Sequence, residues 1–209
     1  MAGTRIGIDF DNTLVNYDAL FHRVALEQQV IPASLAPSKV AVRDYLRGIG
    51  REPVWTEMQG TVYGPRMDEA QAFPGATEFL RWALAHGIEV YIISHKTRFP
   101  FLGPKHDLHE AARRWVARHL AGSVAPLLSV ANVFFELTKE DKLRRIETTG
   151  CSYYIDDLPE ILLASDFPAD VRRILFDPDA HHEADNSFLA VRSWQDVLAY
   201  FRHEWLRRQ

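Results

Sequence analysis

The sequence predicts an α/β fold, in which a parallel β-sheet is flanked by helices and a small helical cap is inserted after the first strand. Short, almost wholly apolar runs alternate with longer amphipathic stretches. Strands that are apolar on both faces and separated by helices indicate a parallel sheet covered on both sides. Roughly 60 residues after the first run contain no strand-like run, which indicates the insertion.

The predicted strands are short and rich in β-branched and aromatic residues. They cover residues 5–10, 89–94, 132–136, 153–155 and 173–176. Helical spacing of apolar residues predicts helices over 75–86, 105–120 and 139–148. The first of these helices is followed by Gly87, which is typical of a helix C-terminus.

The predicted insertion covers residues 15–72. It contains helical patterns at 17–29 and 40–47, and a crossover in an α/β fold needs far fewer residues. We therefore predict a core domain of residues 1–14 and 73–209, with residues 15–72 forming a helical cap over the C-terminal edge of the sheet. Turn signals separate its helices at Pro32, Pro37, Gly48, Gly50 and Pro53.

The composition indicates which kinds of partner and which cellular compartment to expect. The 209 residues include 28 acidic and 24 basic side chains, so a net charge of −4 predicts no overall attraction to a nucleic-acid polymer. Cys151 is the only cysteine, which excludes an intramolecular disulfide and favours a reducing compartment. No apolar run is long enough for a signal peptide or a membrane helix, and we expect a cytoplasmic protein without a membrane partner.

Polar residues follow three of the predicted strands. Asp9 and Asp11 lie where the first strand gives way to a turn, Ser94 ends the second, and Asp156 and Asp157 follow the fourth. Loops at the carboxyl ends of parallel strands converge on one crevice, where acids are placed for ligands rather than for packing. Adjacent acids after a buried run repel each other unless a cation is near, and a divalent cation is the natural candidate. An isolated aspartate pair fits a solvated turn with helix-capping acids equally well.

These residues, together with Lys142 on the predicted helix just before the fourth strand, resemble the four motifs of the haloacid dehalogenase (HAD) superfamily. The motifs are an aspartate pair with Thr13, a serine or threonine after the second strand, a lysine, and a late acidic pair. All four occur in order, and the resemblance implies a Rossmann-like, HAD-like fold whose cap follows the first motif. Asn12 stands where many members have glycine, and Lys142 precedes Asp156 by a short gap. That spacing resembles the 5'-deoxyribonucleotidase branch, and Lys139 is a rival for the lysine role.

The resemblance implies roles for the acidic residues. Asp9 is the expected nucleophile, which forms an aspartyl phosphate. Asp11 is the expected general acid and then general base, and its presence favours phosphoryl transfer over dehalogenation. Mg²⁺ is the expected cofactor, bound by Asp9, Asp156 and the backbone carbonyl of Asp11, with Asp157 supporting the site through water.

The resemblance also implies the phosphate-binding groups. Ser94 and Lys142 are expected to hold phosphate oxygens, and Lys142 also neutralises Asp9 against the incoming dianion. Lys96 is expected to add a phosphate contact, or else to be an ordinary side chain of the loop. Thr13 is expected either to donate a hydrogen bond to phosphate or to fix the loop as a capping hydroxyl.

The predicted function is hydrolysis of a small phosphorylated metabolite, a nucleotide or a sugar phosphate. A phosphomutase or phosphotransferase uses the same aspartyl phosphate, and a non-catalytic binding protein with the same fold is the third alternative. The sequence gives no sign of the oligomeric state. The cap offers five side chains suited to sugar or base contacts, namely Arg43, Trp55, Gln59, Tyr63 and Arg66.

Overall fold

The computed structural model describes residues 3–120, 128–183 and 185–207. Along the chain the regular elements are β1 (Arg5–Ile8), β2 (Val15–Asn16), α1 (Asp18–Glu27), α2 (Lys39–Gly48), α3 (Glu52–Tyr63), β3 (Gln71–Ala72), α4 (Ala76–Ala85), β4 (Glu89–His95), α5 (Leu108–His119), β5 (Val133–Glu136), α6 (Lys139–Thr148), β6 (Tyr153–Asp156), α7 (Pro159–Leu162), β7 (Arg172–Phe176), β8 (Leu189–Val191) and α8 (Trp194–Leu206). Two short 3₁₀ helices cover Met67–Glu69 and Val130–Asn132.

Six of the described strands form one parallel sheet in the order β5-β4-β1-β6-β7-β8. β1 lies inside this sheet, paired with β4 on one side and β6 on the other. This arrangement confirms the predicted fold class, a parallel α/β sheet flanked by helices. It also brings the carboxyl ends of β1, β4 and β6, which carry the predicted site residues, to one edge.

Several element bounds differ from the prediction. β1 ends at Ile8, two residues early, and α5 begins at Leu108, three residues late. The start of α5 is delayed because residues 97–107 form a loop, which is closed by a hydrogen bond from the Leu108 N–H to the Arg98 carbonyl. β8 was not predicted, because its three apolar residues form too short a run to indicate a strand by themselves.

Gly7 allows an aromatic side chain to cross the middle of the sheet. It lies in register with Tyr91 of β4 and Tyr154 of β6. A Cβ atom on Gly7 would lie 2.6 Å from Cδ2 of Tyr154 and 3.0 Å from Sγ of Cys151. The Tyr154 ring therefore passes over β1, and its hydroxyl donates a 2.6 Å hydrogen bond to the Ile93 carbonyl.

Gly7→Ala is expected to lower the free energy of unfolding by about 1–3 kcal/mol, because the added methyl group overlaps a buried ring. Urea denaturation followed by circular dichroism measures the change. Gly48→Ala is the matched control, since a Cβ atom there meets nothing within 4 Å. The control is expected to be neutral or stabilising by up to about 1 kcal/mol, as alanine is the better helix former. Equal denaturation midpoints for native chain and Gly7→Ala would contradict the close packing.

Contacts divide the chain into two units. The first consists of Met1–Leu14, Ala72–His95 and Leu120–Gln209, and it contains the six-stranded sheet. The second consists of Val15–Gln71 and Lys96–His119. Its helices α1, α2 and α3 come from the segment predicted as a cap, while α5 comes from a segment predicted as core.

An aromatic cluster forms the core of the second unit. Phe21 of α1 packs against Trp55 and Tyr63 of α3, with ring centroids 4.8 and 5.6 Å apart. Tyr17 meets Tyr63 edge-on at 4.9 Å. Trp55 is 2% exposed, so its side chain belongs to the core of this unit rather than to a substrate-facing surface.

Two glycines of α3 allow the loop before α5 to pack closely within the second unit. A Cβ atom on Gly60 would lie 2.8 Å from Cβ of Pro100, and one on Gly64 would lie 2.9 Å from Cβ of His106. The two glycines are four residues apart, so they lie on one face of the helix. This face holds the loop that begins at Lys96.

None of the helices in the described ranges is long and apolar enough to cross a lipid bilayer.

Candidate active site

Four side chains meet at the carboxyl edge of the central strands. Asp9 directly follows β1, Ser94 lies in β4, Asp156 is the last residue of β6, and Lys142 lies in α6. All four are buried, with between 0 and 4% of each residue exposed. Burial of this many polar groups is costly unless they contact one another or a ligand.

Asp9 is held by two donors on one oxygen. Its Oδ1 accepts a 2.8 Å hydrogen bond from Oγ of Ser94 and a 2.7 Å hydrogen bond from Nζ of Lys142. The Asp9 N–H donates to the Ile155 carbonyl at 2.8 Å, which extends the pairing of β1 with β6. The described residues supply no hydrogen bond to Oδ2. Oδ1 of Asp9 is therefore held in place by its two donors, and Oδ2 is the oxygen that can contact a ligand.

Lys142 connects two of the buried acids. Its Nζ lies 2.7 Å from Oδ1 of Asp9 and 2.6 Å from Oδ2 of Asp156. Burial by itself lowers the pKa of the Lys142 ammonium, but the two carboxylates outweigh burial and raise that pKa above its ordinary value. Lys139 instead forms an exposed ion pair with Glu160. Between the two lysines that the sequence left open, Lys142 is the one that contacts Asp9.

The second acidic pair lies beside Asp9. Oδ1 of Asp156 accepts the Leu158 N–H at 2.9 Å. Oδ2 of Asp156 is at ion-pair distance from Lys142, and this buried oxygen accepts no hydrogen bond from the described residues. Asp157 is half-buried. Carboxylate oxygens of Asp9, Asp156 and Asp157 lie within 4.8 Å of one another.

The residues at this edge fit a divalent cation. Burial raises the pKa of Asp9 well above its ordinary value; Lys142 opposes that rise, whereas Asp156 and Asp157 add to it. Carboxylates of three acids lie together here, and the buried Asp156 Oδ2 accepts no hydrogen bond from the described residues. Hard carboxylate oxygens are the ligands that Mg²⁺ prefers.

The loop after β1 is fixed from two sides. Thr13 is fully buried, and its Oγ1 donates a 3.3 Å hydrogen bond to Oδ1 of Asp157. Its carbonyl accepts a 3.0 Å hydrogen bond from Nε1 of Trp194. In this arrangement the Thr13 hydroxyl supports the late acidic pair, which favours the loop-fixing alternative; its phosphate contact stays a prediction.

Trp194 was missed by the sequence reasoning, although the sequence carries a signal for its position. It is the first residue of α8, and the Ser193 side chain accepts the Asp196 N–H at 3.1 Å. A serine followed three residues later by an acid is typical of a helix start. That pattern predicts where the helix begins, but it does not predict that the indole reaches Thr13.

Trp194→Phe is expected to lower the free energy of unfolding by about 1–3 kcal/mol, because the buried Thr13 carbonyl loses its donor. It is also expected to slow the site's reaction about ten- to a hundredfold, since a displaced loop misplaces reacting groups. Trp115→Phe is the matched control: Trp115 is equally buried and donates to the Ala70 carbonyl at 2.9 Å within the second unit. The Trp115→Phe variant is expected to show a similar fall in the free energy of unfolding, and its reaction rate is expected to fall less than about threefold. Equal rate losses would refute the loop-fixing role.

Two predicted site residues are not tested by these contacts. Asp11 lies in the loop after β1 and is half-buried. Lys96 belongs to the second unit, where it is 5% exposed and its Nζ lies 4.6 Å from the centroid of the Tyr63 ring. The Lys96 carbonyl is 2.7 Å from Nε2 of His109. The catalytic role of Asp11 and the phosphate contact of Lys96 therefore stay predictions.

Solved structures share this fold. A HAD family hydrolase from Deinococcus radiodurans R1, with bound phosphate and sodium, is 15% identical over 97% of both chains, with a TM-score of 0.60. A putative HAD hydrolase from Bacillus subtilis bound to magnesium is 15% identical over 94% of this chain and 97% of that one, with a TM-score of 0.55. A predicted phosphoglycolate phosphatase from Haemophilus somnus 129pt is 13% identical over 96% and 99%, with a TM-score of 0.54.

At these identities the similarity shows a HAD-like fold and nothing finer. No protein-family model matches the chain, and no curated protein matches it in sequence.

Proposed function

We propose that this chain is a Mg²⁺-dependent phosphohydrolase that acts on a small phosphomonoester through an aspartyl phosphate on Asp9. The observation that carries the proposal is the buried Asp9 carboxylate, held on one oxygen by Ser94 and Lys142 beside the carboxylates of Asp156 and Asp157. Solved structures of the same fold that hold phosphate or magnesium support it.

In the proposed reaction Asp9 attacks phosphorus through the oxygen that Ser94 and Lys142 leave unbonded. The new bond joins Oδ2 of Asp9 to phosphorus as the bond to the leaving alcohol breaks. Asp11 gives a proton to that alcohol and later takes one from the water that hydrolyses the aspartyl phosphate. The ammonium of Lys142 favours the ionised form of the Asp9 carboxylate and screens it from the phosphate dianion.

Mg²⁺ would be held by Asp9, Asp156 and the backbone carbonyl of Asp11, with Asp157 in support, and it would neutralise charge on the phosphoryl oxygens. Ser94, Lys96 and Thr13 remain the proposed phosphate-binding residues. The spacing of the lysine and acidic motifs supports the 5'-deoxyribonucleotidase branch.

The proposal also covers the cap and the cellular compartment in which the reaction takes place. We propose that residues 15–72 act as the cap, which excludes water when substrate binds. The single thiol of Cys151, which is buried, is compatible with a reducing compartment, and the cytoplasm is the location that we propose.

The experiment measures inorganic phosphate released from a panel of nucleoside monophosphates, sugar phosphates, small phosphorylated acids and p-nitrophenyl phosphate. Each compound is tested with Mg²⁺ and with a chelator. Release that needs Mg²⁺ supports the proposal and ranks the substrates. Isomerised product without free phosphate would replace it with a mutase, and no turnover of any compound would leave a binding protein.

A further inference from the structure

His95 is a titratable side chain of the first unit that the proposed reaction does not use. It is the last residue of β4, directly after Ser94, and it lies opposite Glu136 of β5 in the parallel pairing. Nε2 of His95 lies 3.1 Å from the carbonyl oxygen of Leu137, the residue that follows β5. A carbonyl oxygen only accepts hydrogen bonds, so the ring donates from Nε2. This hydrogen bond links the end of β4 to the segment that leads into α6.

The His95 ring makes this contact in its neutral form. Burial lowers the pKa of His95, and the ammonium groups of Lys142 and Lys139 add to that fall. The hydrogen bond to the Leu137 carbonyl opposes it, but the net shift of the pKa is downward, so the ring is neutral near neutral pH. The tautomer that the contact selects carries its proton on Nε2.

The segment that His95 contacts lies at the surface. Residues 137–140 are exposed, and Leu137 is 58% exposed, so burial of side chains does not hold this part of the chain against the sheet. The side chain of Thr138 caps the helix only locally, since it accepts the N–H of Asp141 at 3.0 Å. The hydrogen bond from His95 therefore restrains the main chain at the point where α6 begins.

The position of α6 determines where the Lys142 ammonium lies. Lys142 is one turn into the helix, and its N–H donates to the Thr138 carbonyl at 3.1 Å. Its Nζ lies 2.7 Å from Oδ1 of Asp9 and 2.6 Å from Oδ2 of Asp156, so a small movement of the helix start would lengthen both contacts. Misplacement of a group in an active site by about 1 Å can cost about a hundredfold in rate.

We propose that His95 is a positioning residue, which holds the start of α6 so that Lys142 lies between Asp9 and Asp156. The inference rests on the proposed function, in which Lys142 supports the nucleophile. His95 acts through the main chain of Leu137, so the N–H at the ε position is what matters, rather than the ring or its charge. A side chain that places an N–H at the same position is therefore expected to replace the histidine.

His95→Met is expected to lower the rate of Mg²⁺-dependent phosphate release about ten- to a hundredfold, because methionine has no N–H to donate. His95→Gln is expected to keep the rate within about threefold of native, since the amide nitrogen of glutamine takes the place of Nε2. Steady-state phosphate release by the full chain, with the best substrate of the panel, measures both rates. Equal losses in the two variants, or a native rate in His95→Met, would overturn the inference.

His86→Met is the matched control. Nδ1 of His86 lies 2.7 Å from the Trp82 carbonyl at the end of α4, in the same unit, and α4 carries none of the candidate site residues. The control is expected to unfold at a lower urea concentration than the native chain and to keep its rate within about threefold. A rate loss as large as that of His95→Met would show a general effect of lost stability and would also overturn the inference.

Urea denaturation in a chelator measures the coupling between His95 and Lys142 without any turnover. Lys142→Met is expected to lower the urea midpoint of the native chain. This fall is expected to shrink by at least about half in the His95→Met background, where the ammonium is already displaced, and to remain full in the His95→Gln background. Equal falls in all three backgrounds would mean that the two residues act independently, which contradicts the inference.

The two measurements separate this inference from the proposed function. Coupling between His95 and Lys142 without phosphate release from any compound would refute the hydrolase and keep the positioning of the lysine. Native phosphate release by His95→Met, with additive falls in the urea midpoint, would keep the hydrolase and refute the positioning role.

Discussion

Asp9→Asn is expected to lower the rate of Mg²⁺-dependent phosphate release by at least about 10⁴-fold, because an amide cannot form the acyl phosphate. The substitution keeps the side-chain volume, and the amide oxygen still accepts from Ser94 and Lys142, which now contact its Oδ1. Steady-state phosphate release measures the rate. Acid-quenched peptide mass spectrometry tests separately whether the native chain carries a phosphoryl group on the peptide that contains Asp9.

Asp177→Asn is the matched control for this experiment. Asp177 is also a buried acid directly after a strand, β7, but its carboxylate accepts the N–H groups of His181 and His182 at 3.0 and 2.9 Å. The control is expected to retain its rate within about threefold. A native-like denaturation curve for Asp9→Asn with more than a hundredth of the native rate would exclude Asp9 as the nucleophile.

Lys142→Met is expected to damage both activity and stability. The rate of phosphate release falls at least about 10³-fold, since the nucleophile loses its counter-charge. The free energy of unfolding falls by about 3–5 kcal/mol near neutral pH, because the variant buries Asp9 and Asp156 without the cation between them. Urea denaturation in a chelator measures the second effect.

The stability loss in Lys142→Met is expected to depend on pH. Burial already raises the pKa of Asp9, and Lys142 opposes that rise, so its removal raises the pKa further. A carboxyl whose pKa is higher in the folded chain contributes stability that is fully present below its unfolded pKa, near 4, and is lost as pH rises through its folded pKa. The variant is therefore expected to be closest to the native chain near pH 4 and furthest from it above the raised pKa.

Lys139→Met is the control for charge and helix position. Lys139 lies one turn earlier in α6, and its ammonium pairs with Glu160 at the surface. Exposed pairs contribute about 0–1 kcal/mol, so stability and rate are expected to stay near native values. A larger rate loss in this variant than in Lys142→Met would reverse the assignment of the motif lysine.

The sequence was sufficient to predict five strands of the six-stranded sheet and the acids at its edge, because both depend on short-range pattern. Apolar runs that end in Asp9, Ser94 and Asp156 require only parallel strands to bring these residues together. That pattern does not show which of two lysines contacts the acids. Lys139 and Lys142 both lie on the face of α6 that carries Leu143 and Ile146, and only the packing of the helix shows which ammonium reaches the acids.

Contacts between distant segments were not predictable from local pattern. The indole of Trp194 donates a hydrogen bond to the carbonyl of Thr13, which lies 181 positions earlier in the chain. Neither segment has a local sequence pattern that predicts this contact. In the second unit, Trp55 was a candidate substrate contact, but its burial depends on how α3 packs against Phe21 of α1.

The crossing of β1 by the Tyr154 side chain limits how related sequences can diverge. The ring fills the space that a side chain at Gly7 would need, and its hydroxyl bonds to the carbonyl of Ile93, the residue before Ser94. Neither position can change size alone without disturbing the strand that carries the serine. Among homologues, residues 7 and 154 are thus expected to covary, with a larger residue at the first accompanied by loss of the ring at the second.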